Sequence, residues 1–143
     1  MVQNPPAGSQ RIVPHLVYED APAAIAFLCW AFGFGERFRI EHDGKIVHAE
    51  LEYGGDLVML ASVLRGVGHA SPRDLRANHG STLVYVDDVD AHCARARAAG
   101  AKILTEPEDK LCGDRMYGAR DPEGHDWVFA THFLDVAPED LRP

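Results

Sequence analysis

The chain has 143 residues, 46% hydrophobic and 25% charged, which is the balance of one soluble globular unit of ordinary size. Lys and Arg number 14 against 22 Asp and Glu, a formal charge of -8, so the basic footprint that phosphate backbones and anionic lipid surfaces require is missing. Nucleic acid and membrane are therefore not expected partners. At this length folding buries about two-thirds of the surface that the unfolded chain exposes, enough for a core without disulfides or a structural metal.

The sequence from Met1 to Gln10 is rich in Pro, Gly and polar residues and predicts a flexible lead-in. It has neither a basic n-region nor an h-region, and the longest apolar run, Ala21 to Phe34, is too short to span a bilayer and holds Pro22 and Gly33. A cytoplasmic location is expected. Cys29, Cys93 and Cys112 form no C-x-x-C pair and read as core thiols of a reducing compartment.

A first strand is predicted over Arg11 to Tyr18. A helix follows, with Asp20 as N-cap, Pro22 in its first turn, and Ile25, Leu28, Cys29 and Phe32 at i, i+3, i+4 and i+7 before Gly33 stops it. Trp30, Phe27 and Phe32 are assigned to the helix core or a dimer contact. Three strands come next, at Glu36 to Glu41, Lys45 to Tyr53 and Asp56 to Ser62, separated by the Asp43-Gly44 and Gly54-Gly55 turns. In Lys45 to Tyr53 the alternation sets Val47, Ala49, Leu51 and Tyr53 toward the helix and Ile46, His48, Glu50 and Glu52 toward a cleft or solvent.

The same order then recurs. Leu64 to Gly80 is a polar connection holding His69 and His79, Thr82 to Val86 a strand, and Asp87 or Asp88 caps a helix through Ala99 with Gly100 after it. Ala101 to Thr105, Arg115 to Arg120 and Asp126 to Thr131 supply three more strands, the last two joined by the turn Asp121-Pro122-Glu123-Gly124. Trp127 and Phe129 should back the sheet, while His42, His92, His125 and His132 read as solvated or capping residues. Residues 133–143 form an acidic tail or short helix. The pattern is an α+β fold of two βαβββ modules, 11–63 and 81–132, whose curved mixed sheets enclose a cavity with helices outside.

Several segments are similar to those of a known family. They are Ile12-Val13-Pro14-His15-Leu16-Val17-Tyr18, His48-Ala49-Glu50-Leu51, and above all Gly113-Asp114-Arg115-Met116-Tyr117-Gly118 followed by Asp121-Pro122-Glu123-Gly124-His125. Together with the doubled βαβββ order they resemble the vicinal oxygen chelate superfamily of glyoxalase I, bleomycin-resistance proteins and extradiol dioxygenases, and within it the PhnB-like branch. Metal-using members of that superfamily take one ligand from the first strand and one from the last strand of each module, and their metal acts as a Lewis acid. Carried over residue by residue, those positions fall on His15, on Met59, on Ser81 (or Leu83 if the register slips by two) and on Val128, so only His15 matches a usual ligand.

The resemblance thus implies a small-molecule binder, a homodimer with a ligand in a dimer cavity and without the usual metal or any other cofactor. Its expected contact residues are His15, His48, Glu50, Met59, Ser81, Arg115, Tyr117 and Val128. The alternative is a metal-dependent lyase, isomerase or dioxygenase that uses a divalent metal at His15, His48 and Glu50, or a His48/Glu50 pair as general base. For Asp114 and Arg115 a local ion pair, or one across a dimer, competes with ligand contact by Arg115 or Tyr117.

Overall fold

A computed structural model describes residues 2–141. Its elements are β1 (His15–Tyr18), α1 (Ala21–Phe32), β2 (Gly35–His42), β3 (Lys45–Tyr53), β4 (Asp56–Ser62), β5 (Thr82–Tyr85), α2 (Val89–Ala98), β6 (Lys102–Asp109), β7 (Asp114–Arg120) and β8 (Asp126–His132). Short 3-10 turns lie at Pro72–Asp74 and Pro138–Asp140. The chain divides between Ala77 and Asn78 into two compact units, each a βαβββ module with its own four-stranded sheet. Within the connection from Leu64 to Gly80, the part up to Ala77 therefore packs with the first unit. Among the described residues no helix is long and apolar enough to cross a membrane.

The first sheet has the order β1-β4-β3-β2, parallel at β1 and β4 and antiparallel elsewhere. The chain leaves β1 through α1, which crosses the sheet to the far edge strand β2 before β3 and β4 return; α1 is started by the Asp20 carboxylate accepting from the Ala23 N–H at 3.1 Å and ended by Gly33 in the left-handed conformation. Its face of Ile25, Leu28 and Phe32 packs onto the sheet with Tyr18, Ala49, Leu51 and Leu60, all essentially without solvent contact. Trp30 stands 73% exposed on the opposite side of the helix, so of its two assignments the core one is corrected.

Three expectations about strands are corrected. β1 starts at His15 and not at Arg11, because Pro14 has no N–H to give; its carbonyl only accepts from Met59 at 2.9 Å. In β3 the inward set is Ile46, Ala49 and Leu51, with Val47 57% exposed. The cause is a register shift: Ile40 pairs with His48 but Glu41 pairs with Ile46, so Val47 bulges out and the parity on either side of it differs. β6 runs past Thr105 to Asp109 through Pro107, which lies on an edge strand and inside the register shift between Thr105 and Glu108, both places where a sheet tolerates proline.

The lead-in, expected to be free, is tied at two points. The Gln10 side-chain amide donates to the Leu57 carbonyl at 2.7 Å and accepts from its N–H at 3.0 Å, and the Gly8 carbonyl accepts from Arg37 at 3.1 Å.

The second sheet repeats the arrangement as β5-β8-β7-β6, with β5 and β8 parallel. Asp88 caps α2 by accepting from the Ala91 N–H at 2.9 Å. Trp127, Phe129 and Tyr117 form the core beneath this helix. His92, read from sequence as solvated or capping, is instead buried among them, its Nδ1 2.7 Å from the Tyr117 hydroxyl and its ring 4.3 Å from that of Phe129. Cys93 is buried and Cys29 half-buried, but Cys112 is exposed, so the core reading holds for two of the three thiols.

The turn between β7 and β8 is organised by Asp121, a buried carboxylate that accepts from the N–H groups of Glu123, Gly124 and His125 and from Trp127 Nε1, each at 3.1 Å. Asp121→Asn keeps an oxygen for the backbone donors but sets an amide N–H against the indole N–H. We expect it to cost about 1.5–3 kcal/mol, read as a lower urea midpoint at unchanged m-value; an unchanged midpoint would refute the role given to this carboxylate.

Candidate functional site

In each unit the helix covers one face of the sheet, and alternation delivers every second strand residue to the other face. In the first unit the register makes this a single cross-strand row. His15 pairs with Met59, Met59 with Glu50, and Glu50 with Phe38, so one residue from each of the four strands stands on the same face. His48 and Ile40, also paired, lie next to it. Four of the residues expected from sequence, His15, His48, Glu50 and Met59, are thereby brought together.

Sequence reading missed Phe38, Ile40 and Arg37. The bulges in β2 between Glu36 and Phe38 and between Ile40 and Glu41 reset its parity, and a strand that is exposed along nearly all its length gives no burial rhythm to read.

His48 Nε2 lies 3.3 Å from Glu50 Oε1, and Arg37 Nη1 lies 3.5 Å from Glu50 Oε2. The Glu50 side chain is only 13% exposed, so this carboxylate sits low in the face between a guanidinium and an imidazole. Aromatic edges surround it: the His48 ring centroid is 5.7 Å from Phe38 and 6.4 Å from His15. Met59, Val17 and Ala61 are half-buried and fill the middle. The face offers apolar and ring contact around one anionic acceptor, which suits a flat organic molecule.

The second unit differs. Leu83 pairs with Val128 as His15 pairs with Met59, and Val128 in turn faces Gly118. The position equivalent to His15 is therefore Leu83, and Ser81, the other alternative, is exposed and precedes β5. Leu83 and Val128 carry no donor atom, and Met59 offers only a thioether, so three of the four superfamily ligand positions do not fit a hard divalent cation. Among the described residues no three His, Cys, Asp or Glu side chains converge as metal ligands, and His15, His48 and Glu50 do not do so either.

Arg115 and Tyr117, two further expected contact residues, have structural partners. Arg115 donates to both Asp90 oxygens at 2.9 and 3.1 Å and to Asp109 at 2.8 Å, which ties the start of α2 to the β6–β7 hairpin. Asp114 and Arg115 do not pair with each other: adjacent strand residues point to opposite faces, and Asp114 is bonded to Tyr85 and His132. Tyr117 is 1% exposed and belongs to the core.

Incomplete solvation, then the like charges of His48 and His69, hold His15 below the ordinary histidine range. As pH falls through about 6.5 the unfolded chain takes up this proton first, so His15 makes the fold less stable toward acid. In an NMR titration His48→Gln should raise the His15 midpoint but leave it below about 6.5, because the larger cause remains. A midpoint that does not move would show that the two imidazoles are uncoupled.

The comparisons agree with this fold. Residues 10–129 match the model of the Glyoxalase/Bleomycin resistance protein/Dioxygenase superfamily. The uncharacterized protein Rv0887c of Mycobacterium tuberculosis H37Rv is 37% identical over 133 residues, covering 90% of this chain and 78% of that protein. The crystal structure of TioX from Micromonospora sp. ML1 matches with a TM-score of 0.68 and 36% identity over 87% of this chain and 99% of that one. A glyoxalase-related enzyme from Fulvimarina pelagi, 23% identical, shares the fold with a TM-score of 0.66 over 86% of this chain and 88% of that one. The chain belongs to the glyoxalase/bleomycin resistance protein/dioxygenase superfamily.

Proposed function

We propose that this chain is a cytoplasmic, dimeric small-molecule binder of the PhnB-like branch, which holds a flat, partly hydrophobic organic molecule without the superfamily metal. The reading places the ligand in a cavity of the dimer, lined by the open face of the first sheet. One observation carries it: the thioether of Met59 stands at the centre of the row, directly between His15 and Glu50, where a hard cation finds no partner and an aromatic ring does. Phe38 and Ile40, 44% and 51% exposed on the same face, extend the apolar surface. Leu83 and Val128 give the second unit's open face a similar character.

A second reading is favoured by the His48 to Glu50 contact at 3.3 Å, the geometry of an imidazole oriented by a carboxylate. In that reading the protein is a lyase, isomerase or dioxygenase, with the pair as base or with His15, His48 and Glu50 drawn together on a metal.

Elemental analysis after dialysis against iron, zinc, manganese or nickel, followed by thermal shifts with planar aromatic compounds, separates the two. The binder reading expects no retained metal and a rise in Tm of several degrees, since a ligand at a hundred times its Kd adds about 2.7 kcal/mol. Met59→Glu should weaken that ligand about tenfold or more by placing a charge in the middle of the apolar surface. About one metal per chain, lost in His15→Ala, would overturn the binder reading in favour of the enzyme.

A further inference from the structure

The C-terminal end of β8 holds a network that the proposed ligand face does not use. Asp114 and His132 are opposed in the register of β7 and β8, with Asp114 Oδ1 2.6 Å from His132 Nδ1. The other Asp114 oxygen accepts from the Tyr85 hydroxyl on β5 at 2.9 Å. The second ring nitrogen of His132, Nε2, lies 2.9 Å from Asp135 Oδ1 on the segment that leaves the sheet. The segment is also seated by backbone: the Gly113 carbonyl accepts from the N–H groups of Phe133 at 2.9 Å and Leu134 at 3.2 Å. A Cβ on Gly113, whose φ is +85°, would stand 1.7 Å from the Leu134 carbonyl oxygen.

Both ring nitrogens of His132 face carboxylates, and carboxylates can only accept. A neutral imidazole has one N–H and serves one of them; only the imidazolium serves both. We infer that His132 is a proton-operated latch, which fastens the C-terminal segment to the end of the second sheet through Asp135 when doubly protonated and releases that arm when it loses a proton. Burial decides which arm opens. The Asp114 side chain is 7% exposed and keeps the remaining N–H, whereas Asp135 is fully exposed and water replaces the imidazole at little cost.

The charged and titratable groups facing the latch are Tyr85 from β5, Asp114 from β7 and Asp135 from the segment itself, with the Cys112 thiol near Tyr85. The hydrogen bonds that Asp135 and Asp114 accept from His132 raise its midpoint, and those that Asp114 accepts from His132 and Tyr85 keep its own carboxyl below the usual carboxylate range. The contribution of the latch is therefore full below the unfolded histidine value near 6.5 and is lost as pH rises through the higher folded midpoint.

The test is NMR on the full chain, following the ring nitrogens of His132 together with amide exchange at Phe133 and Leu134, corrected for the intrinsic dependence of exchange on pH. The expected result is a His132 midpoint above about 6.5, and a fall of about two- to fivefold in Leu134 protection across it, the size of one exposed ion pair. Asp135→Asn, an exposed substitution that spares the core, should lower the midpoint and remove the pH dependence of Leu134 protection while Nδ1 stays bonded to Asp114. A midpoint at or below about 6.5, protection that is equal on both sides of it, or the same fall in Asp135→Asn would overturn the latch.

Discussion

The parallel pairing of the first and last strand of each module is the constraint on which the rest depends. A parallel pair must be joined by a crossover, and the crossover helix lies on one face of the sheet. That single fact sorts β4 into Val58 and Leu60, which face α1, and Met59 and Ala61, which do not. It also brings residues as far apart in sequence as His15, Phe38, Glu50 and Met59 into one row, with no loop having to adopt a special shape. A slip of one residue between β1 and β4 would send His15 to the core and Leu16 to the open face, so register specifies the site as strictly as residue type does.

The two modules share this frame and use it differently. The first places a carboxylate, two imidazoles and a phenyl ring around a thioether. The second, at the corresponding strand positions, has Leu83, Val128 and Gly118, and concentrates its polar groups at one end of the sheet in Tyr85, Asp114 and His132. Duplication of the architecture has therefore not preserved a duplicated ligand set. A site that needed identical contributions from both modules is inconsistent with these residues, whereas one built on shape and ring contact tolerates the divergence.

The sequence made local features legible and left those set by tertiary contact hidden. β3 and β4 have the bounds their alternation and flanking Gly turns predict, and the capping carboxylates Asp20 and Asp88 are where a helix start demands them. The Val47 bulge left no trace, since Ile46 and Val47 are equally apolar and only the Glu41 to Ile46 pairing decides which points inward. The end expected at Thr105 falls short in the other direction: β6 continues through Pro107, which its edge position and the register shift around it tolerate. Asp114 and His132 are 18 positions apart, and no local pattern links them before β7 and β8 come into register.

Histidine shows why residue type alone is a poor guide to chemistry in this chain. All of them share an ordinary pKa near neutrality, yet what each can do is settled by what it touches. His92 is buried with its Nδ1 committed to the Tyr117 hydroxyl, so it packs the core. His132 has both nitrogens opposed by carboxylates, which favours its charged form and removes the lone pair a base needs. His15 on the open face is held below the ordinary histidine range by incomplete solvation and then by His48 and His69, and His48 leans on Glu50. An imidazole bordering an apolar centre presents a ring face as well as its nitrogens, so on that face residue type counts as much for shape as for proton chemistry.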